Sequence, residues 1–192
     1  MITVEPITLK LKSVNLSDEQ FYQLCHSNDD WRIEQTAAGE LIIMPPIVAI
    51  SGNRESDLNA DLVIWNRQTK LGKVFSSSTI FTLTKGGKRS PDVPWIANER
   101  WDVLPREEQE KFATICPDFV IELRSRTDSL SQRQAKMQEY LDSGLRLGWL
   151  IDTISQQVAI YRQNQEVEIL PLPTTLSEED ILPRFTLELP IF

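Results

Sequence analysis

Polar and apolar positions along this chain change their period several times. From Ser17, the run SDEQFYQLC places Phe21 and Leu24 on one helical face, and Ser17 with Gln20 forms a capping box. WRIEQ and ELIIM flank TAAG, which predicts a β-hairpin with Gly39 in its turn, and Pro45 and Pro46 stop the second strand. NRESDLNADLVIWNRQTK returns to helical spacing through Leu58, Leu62 and Trp65, with Gly72 beyond its end. KVFSSS, TIFTLT and PDVPWI read as strands and KGGK as a turn. PREEQEKF reads as a short acidic surface helix with Pro105 near its start.

In CPDFVIELRS the residues Phe119, Val120, Ile121 and Leu123 form a nearly continuous apolar strand, the pattern of a sheet's interior. TDSLSQRQAKMQEYLDSG is a helix that Asp128 or Ser129 can cap and Gly144 can end, with Leu130, Met137 and Leu141 on one face. LGWLID, QVAIYR and EVEIL read as successive strands, and the Pro-rich tail carries a capping signal in LSEED. No internal repeat appears. This order predicts a mixed β-sheet flanked by helices, with an N-terminal helix and β-hairpin, in a single domain spanning 1–192. The class is α/β, or α+β if the strands pair mostly antiparallel.

Composition narrows the chemistry. A chain of 192 residues can bury a core without disulfides or metals as staples. No apolar run approaches the roughly 20 residues that cross a bilayer. MITVEPITLKLK lacks a basic start followed by an apolar block, so no signal peptide is expected. Cys25 and Cys116 lie far apart and form no CxxC, as expected of reduced thiols in a cytoplasmic protein. His26 is the only histidine, which leaves no basis for a His-based metal cluster or triad. The net charge of −8 argues against a protein that coats nucleic acid, because such binding rests on Lys and Arg at phosphates. It leaves room for a nuclease, whose ion-holding acids also lower the net charge.

The candidate chemistry starts at Glu122, which interrupts its apolar strand and shares a face with Val120 and Arg124. A buried carboxylate there needs a cation: Arg124, a lysine or a metal. Asp92 heads the strand of RSPDVPWI, and two acids on neighbouring strands can converge on Mg²⁺ or Mn²⁺. Glu55, near the start of the long helix, is a candidate third carboxylate. Lys136 lies beside the apolar face of the following helix, within reach of the strand tips. Two strand acids, a helical acid and a lysine suit metal-assisted phosphodiester hydrolysis, with the lysine positioning or activating water.

The blocks GNRESDLNADLVIWNRQTKLGKVF, RSPDVPWI, CPDFVIELRSRTDSLSQRQAKMQEYLDSGLRLGWLID and QVAIYR resemble the Uma2 family over roughly Leu16 to Leu189. That family is abundant in cyanobacteria and is assigned to the PD-(D/E)XK restriction-endonuclease-like nucleases. The resemblance implies a restriction-endonuclease-like core and a Mg²⁺- or Mn²⁺-dependent endonuclease acting on DNA. It implies Asp92 and Glu122 as metal-binding acids, Glu55 as the helical acid and the Leu123 carbonyl as a further ligand. Where the superfamily pattern has lysine two residues after the second acid, this chain has Arg124, and the resemblance moves the lysine's role to Lys136. A homodimer is expected by analogy, since cutting both strands of a duplex favours two-fold symmetry.

Each of these residues also has a plain structural reading. Asp92 can be a turn residue after Pro91, and Glu122 can pair with Arg124 or Arg126. Lys136 can be a solvated helix lysine, and Glu55 can serve the helix dipole. Arg124 and Arg126 can touch phosphates or balance Glu122. Asp118 stands four residues before Glu122, about 13 Å along a strand, and reads as a strand-entry residue. Asp152 reads as a turn starter. The tryptophans read mostly as core, with Trp95 and Trp101 as candidates for exposed stacking. Two rival functions remain: a catalytically weak or inactive nucleic-acid-binding or regulatory module on the same fold, and a paired-carboxylate glycosidase, which leaves Lys136 without a task.

Overall fold

A computed structural model describes residues 5–12, 14–177 and 180–192. The first half runs β1 (Ile7–Leu9), α1 (Asp18–His26), β2 (Arg32–Gln35), β3 (Leu41–Met44), α2 (Ala49–Thr69), β4 (Gly72–Val74), β5 (Phe81–Thr82), β6 (Lys88–Arg89) and β7 (Val93–Ala97). The second half runs α3 (Asn98–Trp101), α4 (Arg106–Gln109), β8 (Phe119–Arg124), α5 (Leu130–Asp142), β9 (Leu147–Asp152), β10 (Gln157–Arg162), β11 (Glu168–Pro171), β12 (Thr174–Ser177) and β13 (Thr186–Leu189).

The first sheet, in the order β1-β3-β2-β6-β5, is antiparallel throughout. The second, in the order β11-β10-β9-β8-β7-β4, is mixed, and only β8 and β9 pair in parallel. A parallel pair needs a crossover, and α5 supplies it. The class therefore resolves to α+β, a mixed sheet with helices on its faces. β12 and β13 form a separate hairpin.

Local chemistry sets the boundaries. The Gln20 amide donates to Ser17 Oγ at 3.2 Å, and the Ser17 amide donates to Gln20 Oε1 at 2.9 Å, so the capping box forms. α2 begins at Ala49, earlier than its apolar spacing predicts, so Glu55 stands beyond the first turn, where the dipole's influence has faded. Ser129 is the N-cap of α5 but makes no side-chain cap bond. Asp128 instead closes the preceding turn, accepting from the Ser125 amide at 2.8 Å and Ser125 Oγ at 2.7 Å. Gly144, at φ +102°, lets the chain leave α5 through a conformation that a side chain disfavours. The capping signal in LSEED falls partly on residues 178 and 179, outside the described residues.

The central strand β8 explains the layering. Phe119, Ile121 and Leu123 point to one face and pack with Leu58, Leu62 and Trp65 of α2 and Phe185 of the C-terminal segment. Val120 points to the other face and packs with Met137 and Tyr140 of α5. Both faces are covered, hence the apolar run that only Glu122 interrupts, and Glu122 follows Val120 toward α5. Trp95 is buried, and Trp101 packs edge-on against Phe75 at 4.9 Å between centroids. Trp31 is the exposed tryptophan; of the two stacking candidates, Trp95 is a core residue and Trp101 is partly buried against the core. No described helix is long and apolar enough to cross a membrane.

The seam between β4 and β7 is tight. A Cβ on Gly72 would lie 2.3 Å from the Ile96 carbonyl oxygen and 2.4 Å from the Trp95 ring. Backbone cannot yield cheaply, so Gly72→Ala should cost roughly 2–3 kcal/mol, seen as a lower urea midpoint with unchanged slope.

Candidate active site

The linker from β6 to β7 carries the chain from the first sheet to the second, and the candidate site forms around it. β7 pairs with β8 at Val93↔Ile121. One residue further along this register, Asp92 stands beside Glu122 at the open end of the ladder. Asp92 Oδ2 accepts the Leu123 amide at 2.8 Å, so the side chain ties the strands where pairing stops. The carbonyl of Leu123 leaves the strand on the same edge as its amide.

Glu122 is fully buried and meets three donors of α5. Lys136 Nζ lies 2.9 Å from its Oε1, the Tyr140 hydroxyl donates to Oε1 at 3.0 Å, and Arg133 Nη1 donates to Oε2. Residues 133, 136 and 140 share one helical face, which is why a single helix serves one carboxylate. Lys136 Nζ also donates to Glu34 Oε1 at 3.0 Å and to the Ser90 carbonyl at 3.1 Å, so its three protons have three acceptors. Arg133 Nη1 lies 3.8 Å from Asp92 Oδ2, and its Nη2 lies 3.0 Å from Asp128 Oδ1. Glu34 continues to Arg89 at 3.1 Å, and Arg89 to Glu139 at 2.7 Å. Arg32 approaches Asp92 Oδ1 at 3.6 Å.

Asp92, Glu122 and Lys136 thus come together, and the solvated reading of Lys136 does not hold, since it is buried. Glu55 is half-buried and approaches from α2. Burial raises its carboxyl, and the negative charges of Asp92 and Glu122 add to the rise. Arg124 does not serve Glu122: it pairs with Asp152 at 2.8 Å, its partner across β9. Arg126 is exposed after β8. Asp118 is structural, accepting from the Ala97 amide at 2.9 Å and pairing with Arg100 at 3.0 Å. Asp152 starts its turn by accepting from the Ile154 and Ser155 amides. Four network members, Glu34, Arg89, Arg133 and Tyr140, carried no sequence signal beyond position. Arg133 was the most accessible of them, one turn before Lys136 on the same face.

The electrostatics are unbalanced. Burial drives Glu34 up, but Lys136, Arg89 and Arg32 more than offset it and hold its pKa at about 2. Glu122 goes the other way: burial together with Asp92 outweighs Lys136 and Arg133 and leaves its carboxyl raised. Six carboxylates (Glu34, Glu55, Asp92, Glu122, Asp128 and Glu139) face four cations (Arg32, Arg89, Arg133 and Lys136). The cluster therefore holds two more carboxyl groups than cations. Among the described residues no three acids form a ready metal cage. The donor set fits the hard, oxygen-seeking Mg²⁺, which takes one or two carboxylates and keeps several waters.

A family model described as Uma2, "Putative restriction endonuclease", matches residues 18–190. Among solved structures, the chain is similar to "a putative nuclease belonging to DUF820 from Anabaena variabilis ATCC 29413". The TM-score is 0.70 at 22% identity, over 82% of this chain and 87% of that one, a likeness of fold. No curated protein matches the chain.

The depressed Glu34 carboxyl sets a sign. A carboxyl ordinarily near 4.5 and held at about 2 in the folded chain stabilises it above pH 4.5, and that contribution disappears as pH falls toward 2. Its scale is on the order of 3 kcal/mol. The raised Glu122 and Glu55 act in the opposite sense, since acid relieves their burden. Glu34→Gln should therefore be less stable at pH 7 and show a flatter loss between pH 5 and pH 2.5, measured by urea unfolding across that range.

Proposed function

The chain belongs to the Uma2 family, and from that premise we propose that it is a metal-dependent endonuclease hydrolysing DNA phosphodiester bonds around Asp92 and Glu122. The observation that carries the reading is the convergence of these two strand acids on one cationic position, now held by Arg133 Nη1. The surplus of carboxyl groups over cations in the same cluster supports it.

Asp92 and Glu122, with the Leu123 carbonyl, would hold Mg²⁺ or Mn²⁺, which when bound polarises a phosphoryl oxygen and eases deprotonation of water. The chain's own residues prepare that position. The Leu123 amide fixes Asp92, and the Tyr140 hydroxyl fixes Glu122, so both carboxylates are oriented before anything binds. Lys136 is a cation held by three acceptors, which suits it to offset negative charge developing on phosphate and to position water. Glu55 makes no ion pair among the described residues and would assist as the third carboxylate. Cutting both strands of a duplex would take two such sites, as in a homodimer.

A second reading has its own observation. Every cation of the network already has a carboxylate partner, as a purely structural chain of charges requires. That reading describes a nucleic-acid-binding or regulatory module without hydrolysis.

The two separate on one assay. Supercoiled plasmid and single-stranded DNA are incubated with Mg²⁺, Mn²⁺ or EDTA and wild type, Asp92→Asn, Glu122→Gln or Lys136→Ala. Asp92→Asn keeps an acceptor for the Leu123 amide and removes the charge. The expected result is cleavage that needs the metal and falls by at least about 100-fold in the folded Asp92→Asn and Glu122→Gln variants. Absence of cleavage and of metal binding in wild type leaves the second reading.

A further inference from the structure

We infer that Arg133 is a built-in competitor for the cation position between Asp92 and Glu122, and that a divalent cation must displace it to bind. The inference rests on reading those two acids as ligands, and it makes their availability conditional on another side chain of the same protein. Arg133 Nη1 bonds Glu122 Oε2 and lies 3.8 Å from Asp92 Oδ2, so the guanidinium sits where both carboxylates point. No other cation of the cluster does this. Lys136 is held by Glu34, Ser90 and Glu122, and Arg32 reaches only Asp92 of the pair.

The other limb of the guanidinium has its own anchor. Nη2 lies 3.0 Å from Asp128 Oδ1, and Asp128 is fixed by the Ser125 amide and hydroxyl. Nη1 can therefore let go while Nη2 holds, a swing about Asp128. Access points the same way. A groove of about 230 Å³ runs between α5 and the first sheet, lined by Ile42, Met44, Glu34, Arg133, Lys136 and Glu139 among others. Glu122 does not line it and is fully buried behind Arg133 and Lys136. A guanidinium and a divalent ion cannot both contact the same oxygens, because like charges a few ångströms apart repel strongly away from bulk water. The metal's apparent affinity is then its intrinsic affinity scaled down by the fraction of molecules in which Arg133 has swung away.

The test is Mn²⁺ binding, followed by the electron-spin signal of the free ion, with no DNA and no turnover. Proteins are wild type, Arg133→Met, Arg133→Lys and Arg32→Met, each alone and with Asp92→Asn. If the position is open in about one molecule in ten, Arg133→Met should bind Mn²⁺ about tenfold more tightly, and Asp92→Asn should abolish the gain. Arg133→Lys keeps the charge but cannot span Asp128 and both acids, so it should tighten binding about threefold. It serves as the reporter should Arg133→Met not fold. Arg32→Met removes one charge near Asp92 without vacating the shared position and should leave the affinity within about twofold. Equal affinity in wild type and the Arg133 variants, with Asp92-dependent binding intact, overturns the competitor and leaves the metal centre standing. Equal tightening in Arg32→Met and Arg133→Met also overturns it, since the effect is then one of net charge. No Asp92-dependent Mn²⁺ binding in any protein overturns both readings.

Discussion

A carboxylate buried in the central strand sets the conditions for everything around it. Glu122 has no exposed surface, and an ionised carboxylate left alone there would cost several kcal/mol. Its partners all come from α5, so the rotation of that helix about its axis is fixed by Arg133, Lys136 and Tyr140 facing the sheet together. The requirement then propagates. Lys136 needs Glu34, Glu34 needs Arg89, Arg89 needs Glu139, and Arg133 needs Asp128. The two sheets and α5 are joined along this seam by alternating charges, with apolar clusters on either side of it.

Such a seam is a poor way to gain stability. A buried ion network contributes little against well-packed apolar side chains of the same volume, and removing one member strands the rest. The apolar clusters under α2 and against α5 already supply the hydrophobic burial a domain of this size needs. The network is also unevenly matched: Glu34 is held well below the ordinary carboxyl range and Glu122 above it, though both touch the same ammonium. Glu34 has Lys136, Arg89 and Arg32 around it, whereas Glu122 has Lys136 and Arg133 and faces the like charges of Asp92 and Glu34. Asp92 also accepts the Leu123 amide, so its charge stands beside Glu122 at the point where the strands are tied.

Much of this was legible in the sequence because period and punctuation are local. The capping box at Ser17, the hairpin at Gly39, the apolar run of β8 and the acid that breaks it are statements about neighbouring residues, and they held. The facing of Asp92 and Glu122 was legible because each opens or interrupts an apolar strand. The start of α2 was not, since Ala49–Asn53 lacks a capping side chain and follows two prolines. The rest of the charge network was the larger omission. Glu34 and Arg89 come from strands of another sheet, and Lys136 is 102 residues from Glu34. Arg124, the nearest cation in sequence on the same strand face, is directed to Asp152 by the register of β8 on β9.

The position of Arg124 bears on how a cation can reach Glu122. A residue two places after Glu122 lies on the same strand face, but here it is at the strand's end, where a carboxylate of β9 captures it. A lysine two turns into α5 crosses back over the strand and brings Nζ to 2.9 Å from Glu122. α5 returns over β8 because the parallel partner β9 demands a crossover. The position of the ammonium is therefore set by topology, and an arginine at the strand position leaves it undisturbed. Arg124, once engaged with Asp152, is also withdrawn from competition for Glu122, and that leaves Arg133 and Lys136 as its two cations. Of those, Arg133 alone also approaches Asp92, at 3.8 Å.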